Sequence, residues 1–287
     1  MRGRRIVKSR TFAKITSQGR TSRSRKSIVM ISDLWKSDVN WFATWFNTVA
    51  YHALYGERNE DEAILFIEAL AKAVLGDVCS EVLDLGCGSG RHAAAFSNQG
   101  FRTLGIDLSS NSIDKARLVY GESESLRFLK GDMRMLEEHV EAGSFDAVAS
   151  LFTSIGYFED EADLTKTILG VARVLRINGV FILDFLNPVK VKEGLVEEEV
   201  KESGGYTFTI HRRVTNGWIE KSIQYIDSAG RRQHHVERVR ALMPNDWRLR
   251  LEQVGMRIEA HFGDYDLNPW QEQAPRSILI ARKKTFG

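Results

Sequence analysis

The sequence predicts an α/β fold built on a doubly wound parallel sheet, and three observations support this prediction. Five short apolar runs, beginning near residues 82, 101, 126, 145 and 180, alternate with stretches of helical pattern. Strands separated by helices in this way form parallel sheets. A glycine-rich turn follows the first run, and after residue 189 the pattern changes to short alternating runs with turn signals such as Asn216-Gly217. That change indicates a small antiparallel β insertion of about three strands.

The length and composition are those of a soluble globular protein. The 287 residues contain 43% hydrophobic and 27% charged residues, which is enough to bury a substantial core. We predict one domain over residues 33–287, with the insertion at 189–245. No apolar run approaches the ~18 residues that a membrane span needs, so we expect no membrane partner. The two cysteines, Cys79 and Cys87, do not form a disulfide framework, which favours a reducing, cytoplasmic compartment.

The charge is unevenly distributed along the chain. Residues 1–32 hold ten Lys or Arg and no acid, so the remainder carries 30 of the 40 basic residues against all 38 acidic ones. An acidic body argues against nucleic acid as a partner. The basic head is expected to be disordered. It resembles an organelle transit peptide, although a misassigned start with Met30 as the initiator, or a basic arm for RNA, would explain it as well.

Aromatic residues are concentrated between residues 31 and 55. Trp41, Trp45 and Val49 are spaced four apart, which places them on one face of a helix. The favoured interpretation is an N-terminal helix packed onto the domain. A second interpretation is a helical lid over the active site, which would bring Tyr51, with His52 or Tyr55, to a substrate pocket.

The segment Glu81–His92, E-V-L-D-L-G-C-G-S-G-R-H, reads as a buried strand, a glycine turn and the start of a helix. Glycines let a backbone approach a ligand closely and adopt positive φ, so this arrangement predicts a nucleotide-type pocket. Asp84 would repel a pyrophosphate, whereas it suits a ligand that presents a cation. The glycine spacing also departs from the G-x-G-x-x-G pattern of dinucleotide sites. Both points disfavour NAD as the cofactor.

Three later motifs follow the glycine turn in order, namely G-I-D-L-S at 105–109, G-D-M at 131–133 and F-D-A-V at 145–148. Together, the four motifs resemble those of class I S-adenosylmethionine-dependent methyltransferases, over roughly residues 55–187. The resemblance implies a Rossmann-like sheet of seven strands, and Arg257–Phe262 and Ser277–Arg282 are candidates for the last two. It also implies S-adenosyl-L-methionine as the cofactor, bound at the carboxyl ends of the strands.

In such a site each acidic residue would contact a different part of the cofactor. Asp84 would face the amino group directly or through water, Asp107 would accept the ribose hydroxyls, and Asp132 would accept the exocyclic amine of adenine. Asp107 could instead be a helix-capping acid, and Asp132 a turn acid. The whole predicted cofactor-binding set is Asp84, Gly86, Gly88, Gly90, Asp107, Leu108, Asp132, Met133 and Leu151.

The methyl acceptor is less well defined by the sequence. The segment F-T-S-I-G-Y-F at 152–158 lacks the Asn/Asp-Pro-Pro-aromatic run of enzymes that methylate bases, and Asn187-Pro188 reads as a turn. With the β insertion, the segment is similar to small-molecule methyltransferases that act on amino sugars and glycine-type amines. In the amino-sugar enzymes a histidine can follow the Ser-x-Gly, whereas this chain has Tyr157 at that position. We therefore expect a small-molecule acceptor, methylated at nitrogen or oxygen.

Catalytic candidates in the sequence are weak. They are Tyr157, Tyr51 and His211, and no set of side chains has metal-ligand spacing. Two other functions remain open, namely a protein that binds S-adenosylmethionine without turnover and a protein methyltransferase. The oligomeric state is also open.

Overall fold

A computed structural model describes residues 34–36, 40–56, 60–76 and 79–284. The basic head, including Met30, lies outside the described residues. The described part contains two sheets. Their strands, in chain order, are β1 (Glu81–Leu85), β2 (Arg102–Asp107), β3 (Leu126–Lys130), β4 (Phe145–Ser150), β5 (Leu175–Leu186), β6 (Glu198–Ser203), β7 (Tyr206–Thr215), β8 (Trp218–Ile226), β9 (Arg232–Arg240), β10 (Met256–Phe262) and β11 (Arg276–Lys283).

The larger sheet has seven strands in the order β10-β11-β5-β4-β1-β2-β3. Strands β1 to β5 pair in parallel, as predicted, and β11 runs antiparallel to both of its neighbours. The predicted α/β fold is thus confirmed, with one antiparallel strand in the sheet. The strand order reverses between β1 and β4, and ligands of open α/β sheets bind at such a point, beyond the carboxyl ends of the strands.

Helices cover both faces of this sheet and precede it. They are α1 (Trp41–Trp45), α2 (Val49–Tyr55), α3 (Glu60–Leu70, continued by a π-helical turn over Ala71–Leu75), α4 (Arg91–Asn98), α5 (Ser110–Tyr120), α6 (Glu161–Val174), α7 (Pro188–Glu193) and α8 (Pro244–Gln253). A 3₁₀ segment spans Met133–Glu138. Among the helices of the described residues, none is long and apolar enough to cross a membrane.

Three elements differ from their predicted forms. The insertion is a four-stranded sheet, β6-β7-β8-β9, because the charged segment Glu198–Ser203 forms an additional edge strand. Asn187-Pro188 is not a turn: the Asn187 side chain accepts a hydrogen bond from the Val189 N–H at 3.1 Å, and Pro188 begins α7. Strand β5 begins at Leu175, directly after α6, and not near residue 180 as the apolar run predicted.

The helices α1 and α2 form a lid between the two sheets. Trp45 is fully buried, and its indole Nε1–H donates to Glu237 of β9 at 2.7 Å. On the other side, the Asn47 side chain accepts from the Ser109 hydroxyl at 2.9 Å and from the Asn111 N–H at 3.1 Å. The segment therefore packs as core and also borders a pocket. The single helical face predicted for Trp41, Trp45 and Val49 is wrong in one respect, because the chain breaks into two helices and Val49 is 72% exposed.

Candidate functional site

The pocket lies at the carboxyl ends of β1, β2 and β4, where the strand order reverses. Its walls are the glycine loop after β1, the loops after β2 and β3, the turn after β4, and the lid helices. These are the positions at which the four sequence motifs end, so the fold brings together motifs that are up to about 65 residues apart in the chain. The parallel sheet is what places them at one edge.

The glycine loop forms the floor of the pocket. Gly86 has φ 76°, and a Cβ there would lie 2.6 Å from the Ser154 Cβ, so only glycine fits. Gly88 has φ 55°, and a Cβ there would meet open space. Its N–H donates to Asp107 at 2.9 Å. The loop is therefore rigid at Gly86 and leaves room for a ligand at Gly88.

Asp84 is buried beneath this loop, with 1% of its surface exposed. Burial raises the pKa of its carboxyl to about 7, with a further increase from the charge of Asp107; the Ala93 N–H and Arg91 offset part of this effect. Its Oδ2 atom has no hydrogen-bond partner within the described part of the chain. A buried carboxylate oxygen without a partner is costly, and a nearby cation would compensate it.

Asp107 lines the pocket and is held in a fixed orientation. Its Oδ1 accepts the Ser109 N–H at 2.8 Å, and its Oδ2 accepts the Gly88 N–H at 2.9 Å. Burial raises the pKa of Asp107, and these two backbone donors oppose that shift. Each carboxylate oxygen can accept a second hydrogen bond, so the group can still receive a pair of hydroxyls. The alternative role as a helix-capping acid does not apply, because the N-cap of α5 is Ser109, whose side chain accepts the Ser112 N–H at 3.1 Å.

Asp132 also lines the pocket, but its carboxylate is occupied by an arginine that the sequence interpretation did not include. The Arg134 guanidinium donates to both oxygens, at 2.6 Å and 3.0 Å, and also bonds to Asp163 at 2.9 Å. Burial alone would raise the pKa of Asp132, but the hydrogen bonds from Arg134 outweigh it and lower the pKa. Asp132 is therefore ionised and oriented at the end of the pocket beside Met133.

Three apolar members of the predicted set line the pocket, while two other members, Asp84 and Gly90, lie outside its lining. Leu108, Leu151 and Met133 all line it. Gly90 lies outside the lining, and a Cβ there would come within 2.8 Å of the Phe128 ring. Glycine is therefore needed at this position so that the loop can pack onto β3.

The lid supplies aromatic rings to the opposite wall. Tyr51 and Tyr157 both line the pocket. The Phe46 ring lies between them, with its centroid 4.8 Å from that of Tyr51 and 5.4 Å from that of Tyr157. The structure does not bring His211 to this group, since it pairs with Glu198 and Ser222 within the four-stranded sheet.

Two features of the site have no counterpart in the sequence interpretation. Phe152 and Thr153, in the turn after β4, have φ values of 56° and 64°, and Phe152 and Ser154 line the pocket. The Tyr55 hydroxyl lies 2.7 Å from both oxygens of Glu237, and Lys221 completes this cluster.

A set of three or more His, Cys, Asp or Glu side chains arranged to hold a metal does not occur in the residues that the structure covers.

Comparisons with known proteins agree with this geometry. Residues 82–179 match the model of a family described as a methyltransferase domain. YqeM of Bacillus subtilis (strain 168), named as a methyltransferase, is 30% identical over 152 residues, covering 53% of this chain and 57% of YqeM. The glycine/sarcosine N-methyltransferase of Aphanothece halophytica is 24% identical over 249 residues, covering 83% of this chain and 86% of that protein.

A solved structure extends the likeness in fold. The S-adenosylmethionine-bound amino pentose methyltransferase CalS10 from Micromonospora echinaspora superposes with a TM-score of 0.59 at 21% identity, covering 83% of this chain and 98% of CalS10. This chain spans only a little over half the length of YqeM. The resemblance to class I S-adenosylmethionine-dependent methyltransferases that was inferred from the four motifs is nevertheless confirmed, because residues 82–179 match the methyltransferase-domain family and the similar proteins are methyltransferases.

Proposed function

We propose that this protein transfers a methyl group from S-adenosylmethionine to a small molecule, at a nitrogen or an oxygen atom. The observation that carries the proposal is the pairing of an acidic, glycine-lined pocket floor with an aromatic lid. Asp107 lines the floor and Asp84 is buried beneath the same glycine loop, while the lid places Tyr51 and Phe46 on the opposite wall.

The residues of the floor fit this cofactor. Asp107 has two spare acceptor positions for a ribose diol, and its orientation is fixed by the two backbone N–H groups. Asp84 has one oxygen without a partner in the described residues and lies near the glycine loop, where a cationic amino group would stabilise it directly or through water. Asp132 and Met133 border the far end of the pocket, which suits adenine.

The remaining residues have to align the acceptor and keep water out. When bound, S-adenosylmethionine supplies a methyl group that its positively charged sulfur already activates, so alignment and exclusion of water are the main requirements. The lid meets the second requirement, because Trp41, Phe42 and Trp45 are buried and Phe46, Tyr51 and Tyr157 close the aromatic wall.

The aromatic wall favours nitrogen over oxygen as the methylated atom. An amine becomes an ammonium ion when it gains a methyl group, and aromatic faces attract such cations. A hydroxyl acceptor usually needs a general base. The predicted candidate His211 lies in the other sheet, and the histidines that line the pocket are His52 and His92. The Aphanothece relative and CalS10 are named as enzymes for glycine or sarcosine and for an amino pentose, which supports a small amine.

The lid also argues against the alternative functions. A protein methyltransferase needs a cleft that admits a polypeptide segment, whereas α1 and α2 cover this pocket and are fastened to both sheets. A protein that binds S-adenosylmethionine without turnover would keep the floor but would not need the aromatic wall.

Calorimetry and a product assay test the proposal together. We expect S-adenosylmethionine to bind, Asp107→Ala to weaken that binding severely, and NAD not to compete. A screen of small amines and hydroxy compounds for release of S-adenosylhomocysteine should then identify an acceptor among the amines. Tighter binding of NAD would refute the cofactor assignment, and binding without release across the screen would favour the protein without turnover.

A further inference from the structure

The turn after β4 has an unusual backbone. Phe152 and Thr153 both lie in the left-handed region, with φ values of 56° and 64°, and they are the only two neighbouring non-glycine residues with positive φ in the described chain. This region is unfavourable for residues with a Cβ, above all for a β-branched one. Such strain persists only where the surrounding structure enforces it, and it is typical of functional sites.

Asp184 in β5 enforces the strained conformation. It is 1% exposed, and its Oδ2 accepts the Phe152 N–H at 2.7 Å. Its backbone carbonyl accepts the Thr153 N–H at 3.0 Å. One residue therefore binds both consecutive N–H groups of the turn, and a buried hydrogen bond to a charged group is among the stronger ones.

Arg276 in β11 supports the same turn from the other side. Its Nε donates to Asp184 Oδ1 at 2.7 Å, and its Nη2 donates to the Thr153 hydroxyl at 3.0 Å. The Tyr265 hydroxyl also donates to Asp184, at 3.1 Å. Asp184 is thus a buried carboxylate whose oxygens are fully engaged by the turn, the arginine and the tyrosine.

The constrained turn contacts both the glycine loop and the pocket. The Ser154 hydroxyl lies 2.8 Å from the Leu151 carbonyl oxygen and 3.0 Å from the Gly86 carbonyl oxygen, so it shares its proton between the turn and the glycine loop and joins the two. The Phe152 ring lines the pocket, and the Arg91 guanidinium lies 5.0 Å from its centroid. The wall next to the glycine loop is therefore positioned by contacts that begin at β5 and β11.

We infer that Asp184 and Arg276 are positioning residues, which hold the Phe152-Thr153 turn as the wall of the cofactor site beside the glycine loop. This inference rests on the proposed function, in which the glycine loop receives the methionine part of S-adenosylmethionine. The turn should then govern binding of that part and leave the adenosine part, bound at Asp107 and Asp132, largely unaffected.

The test compares two ligands and two matched carboxylates. Asp146, at the start of β4, is a suitable control because it also accepts two backbone N–H groups, from Ser80 and Glu81, and pairs with an arginine, Arg176, but at the opposite end of the sheet. We expect Asp184→Asn to weaken S-adenosylmethionine about tenfold by calorimetry, which is ~1.4 kcal/mol, and to change adenosine binding less than twofold. Asp146→Asn should leave both dissociation constants within twofold.

A second variant covers the case in which Asp184→Asn does not fold. Thr153→Gly suits the left-handed conformation and removes a buried side chain together with its hydrogen bond from Arg276. The relief of backbone strain offsets the lost packing, so the melting temperature should change little, while S-adenosylmethionine should bind several-fold more weakly. Equal weakening of both ligands, or a lower melting temperature with unchanged dissociation constants, would show a merely structural role and overturn the inference. If the wild-type protein bound no S-adenosylmethionine at all, the proposed function itself would fail.

Discussion

The affinity for S-adenosylmethionine should rise with pH, and Asp84 is the reason. Burial and the neighbouring charge of Asp107 raise the pKa of this carboxyl to about 7. A cation bound nearby favours the ionised form and lowers that pKa again. Binding must then release the proton that Asp84 carries in the free protein, so the affinity is greatest above pH 7 and is lost as the pH falls below it.

The magnitude follows from the titration. With a pKa of about 7, roughly 90% of the Asp84 carboxyl groups are protonated at pH 6 and about 10% at pH 8. If only the ionised form accepts the cationic ligand, the dissociation constant falls about tenfold between these two pH values, which is ~1.4 kcal/mol. An ordinary aspartate, ionised throughout this range, would give no change.

Isothermal titration calorimetry at pH 6, 7 and 8, in two buffers of different ionisation enthalpy, measures both the affinity and the protons released. The ligand amino group can titrate as well, so Asp84→Asn is the matched control, since it keeps the shape and loses the titration. At pH 6 we expect ligand binding to the variant to release about one proton fewer than ligand binding to the wild-type protein. Identical pH dependence in wild type and variant would refute this account of Asp84.

Three further results are expected. In the free protein, Asp84→Asn should raise the free energy of unfolding at pH 8 by on the order of 2–4 kcal/mol and have no effect near pH 3. The reason is that the penalty for the buried charge develops as the pH rises from about 4 to about 7. Thermal melts at both pH values measure this difference. Glu237→Gln should lower stability by about 2–4 kcal/mol in urea titrations, because Lys221, whose side chain is only 18% exposed, loses its ion-pair partner. Adding Lys221→Met should restore part of the loss. Deleting residues 1–30 should leave the melting temperature and the affinity for S-adenosylmethionine unchanged, and a loss of either would show that the head is structural.

The parts of the fold that sequence analysis predicted correctly are those determined by local pattern. The strand, glycine turn and helix around residues 81–98 follow from an apolar run and from glycines at positive φ. Asp107 could be placed because it is the last residue of a strand, and the carboxyl ends of parallel strands meet at one edge. Asn187-Pro188 could have been predicted as a helix start as well, since an Asn cap followed by Pro is a known signal for one.

The remaining features depend on partners that are distant in the chain. Asp184 lies in an apolar run, and its arginine partner is 92 residues away. The left-handed conformation at Thr153 is opposed by the intrinsic preference of a β-branched residue, so local propensity predicts the wrong backbone there. The edge strand Glu198–Ser203 is mostly charged and forms only because β7 offers it a pairing partner.

Two energetically unfavourable features of the described residues lie beside the same pocket. Asp84 carries an oxygen without a partner beneath the glycine loop, and Phe152 and Thr153 hold a strained turn beside it. Each would be more stable if replaced, by Asn or by Gly, and natural proteins retain such costs mainly where function requires them. The two features also adjoin, because the Ser154 hydroxyl links the turn to Gly86. A ligand that brings a cation to Asp84 would therefore contact the strained wall as well, which makes this end of the pocket, rather than the adenine end, the part whose geometry methyl transfer depends on.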